Sequence, residues 1–199
     1  MSKVFQKRFY DEHELRAAGV AEVGENVRIH EDCNIHGLEN IRLGSNVRID
    51  AYATIIATGP VTIGSYVHIA SYCLLSGGDG ITLDDFSGLS HGVRVYSRSD
   101  DYSGEALTNP TVPAEFTQVK RGAVKLGRHV IIGSGSVILP DVTIGEGASV
   151  GALSLVTKDL PGWQMYFGAP ARKIGPRSQK LLELEQQLLQ SRATNVHAA

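Results

Sequence analysis

The sequence predicts an all-β solenoid, a parallel β-helix with three short strands to the coil. Three observations predict it: aliphatic residues recur at every sixth position, glycine recurs along the same beat, and a single polar segment interrupts both. The first run is Val23, Ile29 and Ile35, then Leu43, Ile49 and Ile55, then Ile63, Ile69 and Leu75, then Leu83, Leu89 and Val95. Within a triplet the step is six and between triplets it is eight, so the longer repeat is 20 residues. After the interruption the step of six runs unbroken through Leu126, Ile132, Ile138, Ile144, Val150 and Val156. A second register lies four positions on, with small or β-branched residues such as Val27, Cys33, Ala53, Cys73, Val93, Ser136 and Ser154. Neither a helix at 3.6 residues nor a half-buried strand at 2.0 gives a period of six. Short strands joined by tight turns do. Each coil turns one aliphatic per side into a narrow interior, and small residues fit where the wall bends. Coils then stack at strand spacing, roughly 4.8 Å, and share one continuous core.

Ahead of the coils, "FQKRFYDEHELRAA" (residues 5–18) reads as a short helix stopped by Gly19. It belongs to an N-terminal cap, residues 1–22, that covers the open edge of the first coil. Residues 23–160 form the β-helix. The segment 97–124 leaves it as a long loop, from "VRVYSRSDDYSGEALTNPTVPAEF" onward. Loops on a rigid scaffold are where sites are built, and one this long in a compact domain points to such a role. In the C-terminal part, residues 161–199, "SQKLLELEQQLLQ" (178–190) carries leucines at amphipathic helical spacing. That helix packs either on its own β-helix or between subunits, and "ATNVHAA" (193–199) is expected to be disordered.

Composition excludes several classes. The net charge of −2 gives no basis for a nucleic-acid or anionic-membrane partner. No apolar run reaches the roughly 20 residues of a membrane span, and the N-terminus lacks the apolar region of a signal peptide. A cytoplasmic protein is expected. Cys33 and Cys73 share one register two coils apart, about 10 Å at strand spacing. That is too far for a disulfide, so both are expected to fill core.

The six-residue beat, with "LGRHVIIGSGSVILPDVTIGEGASVGALSLVTKDLP", "YFGAPARKIG" and the loop after "VRVYS", resembles the hexapeptide-repeat acyltransferases, the left-handed parallel β-helix family. The match is nearest to its galactoside, maltose and xenobiotic acetyltransferase branch and covers about residues 23–175. The hand of the helix comes from this resemblance; the usual right-handed crossover preference would have given the other. The resemblance implies a homotrimer with acetyl-CoA in the groove between neighbouring β-helices, and a loop that closes the acceptor end. It implies no metal.

On the CoA side, the turns at Gly133, Ser134, Gly151 and Ala152 let a ligand approach the backbone closely. Lys158, Arg172 and Lys173 supply positive charge for its phosphates. On the acceptor side the chain departs from its relatives. Where they carry a histidine as general base, Asp100 stands here, and Ala70 replaces an asparagine that they carry. Three candidates for the base remain: Asp100, His68 and His91. An exposed aspartate with an ordinary pKa near 3.9 is a weak base. His68 is therefore placed ahead of His91, with Asp100 or Asp101 orienting it or the acceptor. Asp101, Tyr102, Glu105 and Asn109 are candidate acceptor-binding residues. His129 is expected near the CoA groove, and His13, His30, His36 and His197 are read as surface or turn residues.

The function expected is acetyl transfer from acetyl-CoA to a hydroxyl of a sugar or nucleotide sugar, in surface polysaccharide or O-antigen assembly. Three alternatives stand beside it. The first is N-acetylation of a nucleotide-linked amino sugar, because a neutral, well-placed amine needs less help from a base. The second is a non-catalytic β-helix scaffold. The third is a zinc enzyme of the γ-carbonic anhydrase type, for which only His68, His91 and His129 could serve as ligands.

Overall fold

In the computed structural model, which describes residues 8–196, the chain winds into a three-sided prism of about seven coils. One coil shows the plan. Ile41–Leu43 lies on face I, Arg48–Ile49 on face II and Thr54–Ile56 on face III, after which the chain returns to face I at Val61–Ile63. Successive coils pair in parallel with the sequence period: Ile41 with Val61, Ile49 with Ile69, Ile55 with Leu75. Across the polar segment, Leu83 pairs with Leu126, Leu89 with Ile132 and Val95 with Ile138, so the prism closes up as though the segment were absent. Beyond it, Ile132 pairs with Val150 and Ile138 with Val156 in a tighter, 18-residue coil.

The periodic aliphatics are the core. Ile49, Ile55, Ile69, Leu75, Leu83, Leu126, Ile132 and Ile138 are fully buried. Each side chain of this size contributes about 1.5–3 kcal/mol on burial. The second register lines the bends: Val27, Ala53, Cys73, Val93, Ser136 and Ser154 are buried there. Ser136 is tolerated because its hydroxyl donates to the Gly151 carbonyl and accepts from the Ser154 N–H. Cys33 and Cys73 are free. Their thiols donate to the Asp50 and Ser90 carbonyls, and burial pushes both up to about 11.

Both ends differ from the sequence expectation. Residues 5–7 lie outside the described residues. Phe9–Tyr10 is a strand, antiparallel to the first coil, with Phe9 opposite His30 and Tyr10 opposite Ile29. Helix α1 spans only Glu12–Ala17, because Asp11 caps it: its carboxylate accepts from the His13 and Glu14 N–H groups, and Glu14 reciprocates. The open edge is therefore covered by strand and helix together. At the other end face II continues through Gln164–Phe167, and Arg172–Pro176 turns back antiparallel against it.

Helix α2 spans Leu181–Val196, so the tail expected to lack structure is helical as far as Val196; residues 197–199, with His197, lie outside the described residues. Glu185 holds α2 to its own prism at the corner between faces I and II, by an ion pair to Arg128 and a hydrogen bond with His129. Leu184, Leu188 and Leu189 face outward.

Candidate active site

The polar segment leaves face III after Tyr96 as a two-stranded ribbon, Arg98–Ser99 against Lys120–Arg121. Its base is tied down by charge. Arg98 donates to Asp79 and to the Gly78 carbonyl, Arg121 also pairs with Asp79, and Ser97, fully buried, accepts from the Asp79 N–H. The Arg98 hydrogen bond holds the Asp79 carboxyl below the usual carboxylate range. The loop then folds over face III and encloses a cleft of about 720 Å³, continuous in its lining with a second of about 420 Å³. The outward side chains of face III, Tyr96, Val137 and Leu139, form the floor of the smaller. Asp100, Tyr102, Glu105 and Lys120 reach the cleft from the loop.

The two adjacent aspartates have opposite surroundings. Asp101 accepts from the N–H groups of Ser103, Gly104, Glu105 and Ala106 and from the Ser103 hydroxyl. The Ser103 backbone bond, with these others, holds its carboxyl below the ordinary range. Its lone pairs are committed to folding the loop tip. Asp100 lies half-buried in the cleft wall, and its carboxylate has no hydrogen-bond partner among the described residues. Tyr102, 91% exposed, stands beside it. Asn109 lines neither cleft; with φ +72° it caps a turn through Thr111.

The histidines separate. His68 points outward on face II, between Arg48 and Gly88 in the neighbouring coils. Its Nε2 meets Asp50 Oδ2 at 2.7 Å, and Arg48 holds the other Asp50 oxygen. Burial alone would raise the Asp50 carboxyl, but the bonds from His68 and Arg48 outweigh it and the net direction is down. The expected pairing of His68 with Asp100 or Asp101 is thus replaced by a pairing with Asp50. The 20-residue period carried the signal, since it puts His68 directly beside Arg48 and Asp50 beside Ala70 at the end of the same face. His91 is exposed at the corner between faces II and III, where its carbonyl accepts from the Gly135 N–H of the next coil. That stacks it on the turn of Gly133 and Ser134, and Leu153, beside Ala152, bonds to the Ser134 carbonyl one coil further. His129 is not near this corner. It is buried under α2 at the opposite edge of face II, because Glu185 and the rings of Phe86 and Trp163 enclose it.

The glycines of the turns have a packing reason of their own. A Cβ on Gly133 would lie 2.4 Å from the Ala152 nitrogen, and one on Gly151 would lie 2.3 Å from the Phe167 ring. Ser134 and Ala152 are exposed beside them. Arg172 and Lys173 lie on the returning strand of face II, opposite Phe167 and Tyr166, while Lys158 lies past the far edge of face III. All three cations are exposed and without an ion pair among the described residues. They flank the C-terminal end of face III and suit a phosphorylated ligand lying along it. No three metal-ligating side chains converge among the described residues, and no helix there is long and apolar enough to cross a membrane.

Comparison with known proteins bears on this arrangement. The family described as bacterial transferase hexapeptide (six repeats) matches residues 123–158. The chain is 44% identical over 178 residues to dTDP-4-amino-4,6-dideoxy-D-glucose acyltransferase of Escherichia coli, covering 89% of this chain and 93% of that one. Among solved structures it resembles AntD, an N-acyltransferase from Bacillus cereus in complex with dTDP and 3-hydroxybutyryl-CoA. There the TM-score is 0.91 and the identity 46%, over 94% of this chain and 100% of that one. A maltose O-acetyltransferase from Clostridium difficile 630 shares the fold at 23% identity and a TM-score of 0.57, over 89% and 82% of the two chains.

Proposed function

Because this chain belongs to the hexapeptide-repeat acyltransferases, enzymes that take their acyl group from coenzyme A, we propose that it acylates the amino group of a nucleotide-linked amino sugar. The near full-length identity to acyltransferases of that substrate class carries the reading. It displaces hydroxyl acetylation, the activity first expected from sequence. It also leaves no reason for the scaffold or zinc-enzyme alternatives.

The cleft chemistry agrees. A sugar hydroxyl must lose its proton as it attacks, which calls for a base such as the histidine that O-acetylating relatives carry. An amine attacks with its own lone pair and gives up its proton afterwards, which a carboxylate can receive. Asp100, in the cleft and with its carboxylate unpartnered among the described residues, is the group we assign to that proton. Bound acyl-CoA supplies the activated thioester carbonyl. The amine nitrogen forms the amide bond, the C–S bond breaks, and the nitrogen's proton passes to Asp100 and from there to the departing sulfur, so that CoA leaves as the thiol and Asp100 is again a carboxylate. Tyr102, Glu105 and Lys120 face the acceptor from the loop. The turns at Ser134 and Ala152, with Arg172, Lys173 and Lys158, hold CoA. His68 and His91 lie outside the cleft of their own chain, so a catalytic part for either requires a neighbouring copy, and a trimer with the site between copies is part of the proposal. The amide product would then be consumed by glycosyl transfer into a surface polysaccharide, in the cytoplasm.

The test is CoA release from acyl-CoA with a dTDP-linked 4-amino-4,6-dideoxy sugar as acceptor, alongside Asp100→Asn. Turnover in the parent and a loss of about 10²–10⁴ in kcat in the variant, with the acceptor KM little changed, is expected. Full activity in Asp100→Asn would remove Asp100 from the reaction.

A further inference from the structure

The prism carries two columns of side chains at its corners, and one column lacks a rung. At the corner between faces I and II, each coil places one residue in the left-handed region: Asn26, Asn46, Tyr66, Phe86, His129, Gly147 and Trp163. Their side chains contact one another along the column in two runs, Asn26–Asn46 and Tyr66–Phe86–His129. The Asn26 amide donates to Asn46, Tyr66 lies on Phe86 at 4.5 Å, and Phe86 lies on His129 at 5.2 Å. Gly147 has no side chain, but its place is filled, since a Cβ there would meet the Trp163 ring at 2.4 Å.

At the corner between faces II and III the same positions read Tyr52, Tyr72, Gly92, Gly135 and Leu153, with φ between +56° and +70°. Tyr52 and Tyr72 stack at 5.2 Å and 18°. The place at Gly135 is filled by Leu153, whose Cδ2 would lie 2.8 Å from a Cβ there. At Gly92 no side chain from the neighbouring coils takes the place: a Cβ there would meet only the Gly135 backbone, its nitrogen at 3.9 Å and its Cα at 4.0 Å, at ordinary van der Waals distance. Tyr72 is 63% exposed above this gap. Coil spacing of about 4.8 Å leaves room for one planar ring between Tyr72 and the next filled rung.

We propose that the gap at Gly92 is a stacking site for a nucleobase, which enters beneath Tyr72 as the next member of the Tyr52–Tyr72 column. Aromatic side chains take bases of any kind on their faces. The gap continues into the exposed turns of Ser134 and Ala152 on the same corner. Beyond them stand Arg172 and Lys173, cations without an ion pair among the described residues, so the corner suits a ligand that joins a flat ring to phosphates. This deepens the proposed function, on which it rests, because both substrates of that reaction are nucleotides. The base is either that of the sugar nucleotide or the adenine of CoA.

Isothermal titration of the full chain with dTDP and, separately, with CoA distinguishes the two. Two variants are compared with the parent. Tyr72→Ala removes the stacking face. Gly92→Tyr builds the missing rung, in a backbone conformation that Tyr52 and Tyr72 already adopt in the coils above. Each variant is expected to raise the Kd of one of the two nucleotides about tenfold and to leave the other unchanged. A loss confined to dTDP assigns the gap to the acceptor's base, and a loss confined to CoA assigns it to adenine. Unchanged affinity for both in both variants overturns the proposal, as does a parent that binds neither. A changed oligomeric state by light scattering with both affinities intact also overturns it, since the rung would then be a contact between copies. Failure of the parent to acylate an amino sugar while the Kd effects persist would instead sink the proposed function and leave the stacking site.

Discussion

Glu185→Ala should undock helix α2 without disturbing the prism. Glu185 is only 10% exposed at its side chain, and its carboxylate makes an ion pair with Arg128 and a hydrogen bond with His129 at 2.8 Å. His129 is 7% exposed and Arg128 is 43% exposed. A hydrogen bond to a charged group contributes about 1.5–3 kcal/mol when buried. The His129 bond stands near that figure, and the Arg128 bond falls well below it because solvent screens the guanidinium. The docking of α2 should therefore lose about 2–3 kcal/mol, a factor of about 30–150 in the local opening equilibrium. The second tie, Arg192 to Asn46 and over the Tyr66 ring, is exposed and cannot compensate. Native-state hydrogen exchange on the α2 amides reads the effect directly. Protection in α2 should fall by that factor, while strands such as Ile69, Leu75 and Ile132 keep theirs and kcat stays at the parent value. Equal loss of protection in helix and strands, or none in either, would refute the assignment of Glu185 as the helix's tie.

Two further outcomes follow from the titrating groups. The Asp101 carboxyl is depressed in the folded loop, so the order it gives is complete above the ordinary carboxylate range near pH 3.9 and is lost as pH falls through the depressed value. Protection of the Ser103–Ala106 amides, taken relative to the intrinsic exchange rate at each pH, should fall only at the acid end, and in Asp101→Ala it should be low at every pH; protection that ignores both pH and the substitution would contradict this. Cys33 and Cys73, both pushed up to about 11, should resist a disulfide reagent at pH 8 until the chain unfolds, and a rate like that of a free thiol would show the corners to be open.

The prism was legible in the sequence because its cause is arithmetic. One aliphatic every six residues fixes the coil, and the eight-residue step fixes where the first coils widen, so the pattern alone sets Leu75, Leu89 and Ile138 inside. The loop was legible as a break in that beat. Less of the site could be read. Asp100 stood out because it replaces a histidine, but its contrast with Asp101 depends on the turn at Ser103–Ala106, which has no period. His68 was recognised without its partner, because Asp50 reaches it diagonally from the neighbouring coil. The cover of His129 was missed for a similar reason: the repeat gives its corner, but Glu185 lies on a helix whose docking no repeat encodes. At the N-terminus helical pattern lost to edge pairing, since Phe9 and Tyr10 gain more by closing the sheet beside Ile29 and His30.

The most direct test of the central claim is a paired-acceptor assay. The purified chain is given acyl-CoA with a dTDP-linked 4-amino-4,6-dideoxy sugar or with its 4-hydroxy counterpart, and the products are identified by mass and NMR. Acyl transfer to nitrogen, with no product from the hydroxyl sugar, is the result expected. An ester formed on the hydroxyl sugar at a comparable rate would contradict it and return the chain to the O-acetylating branch.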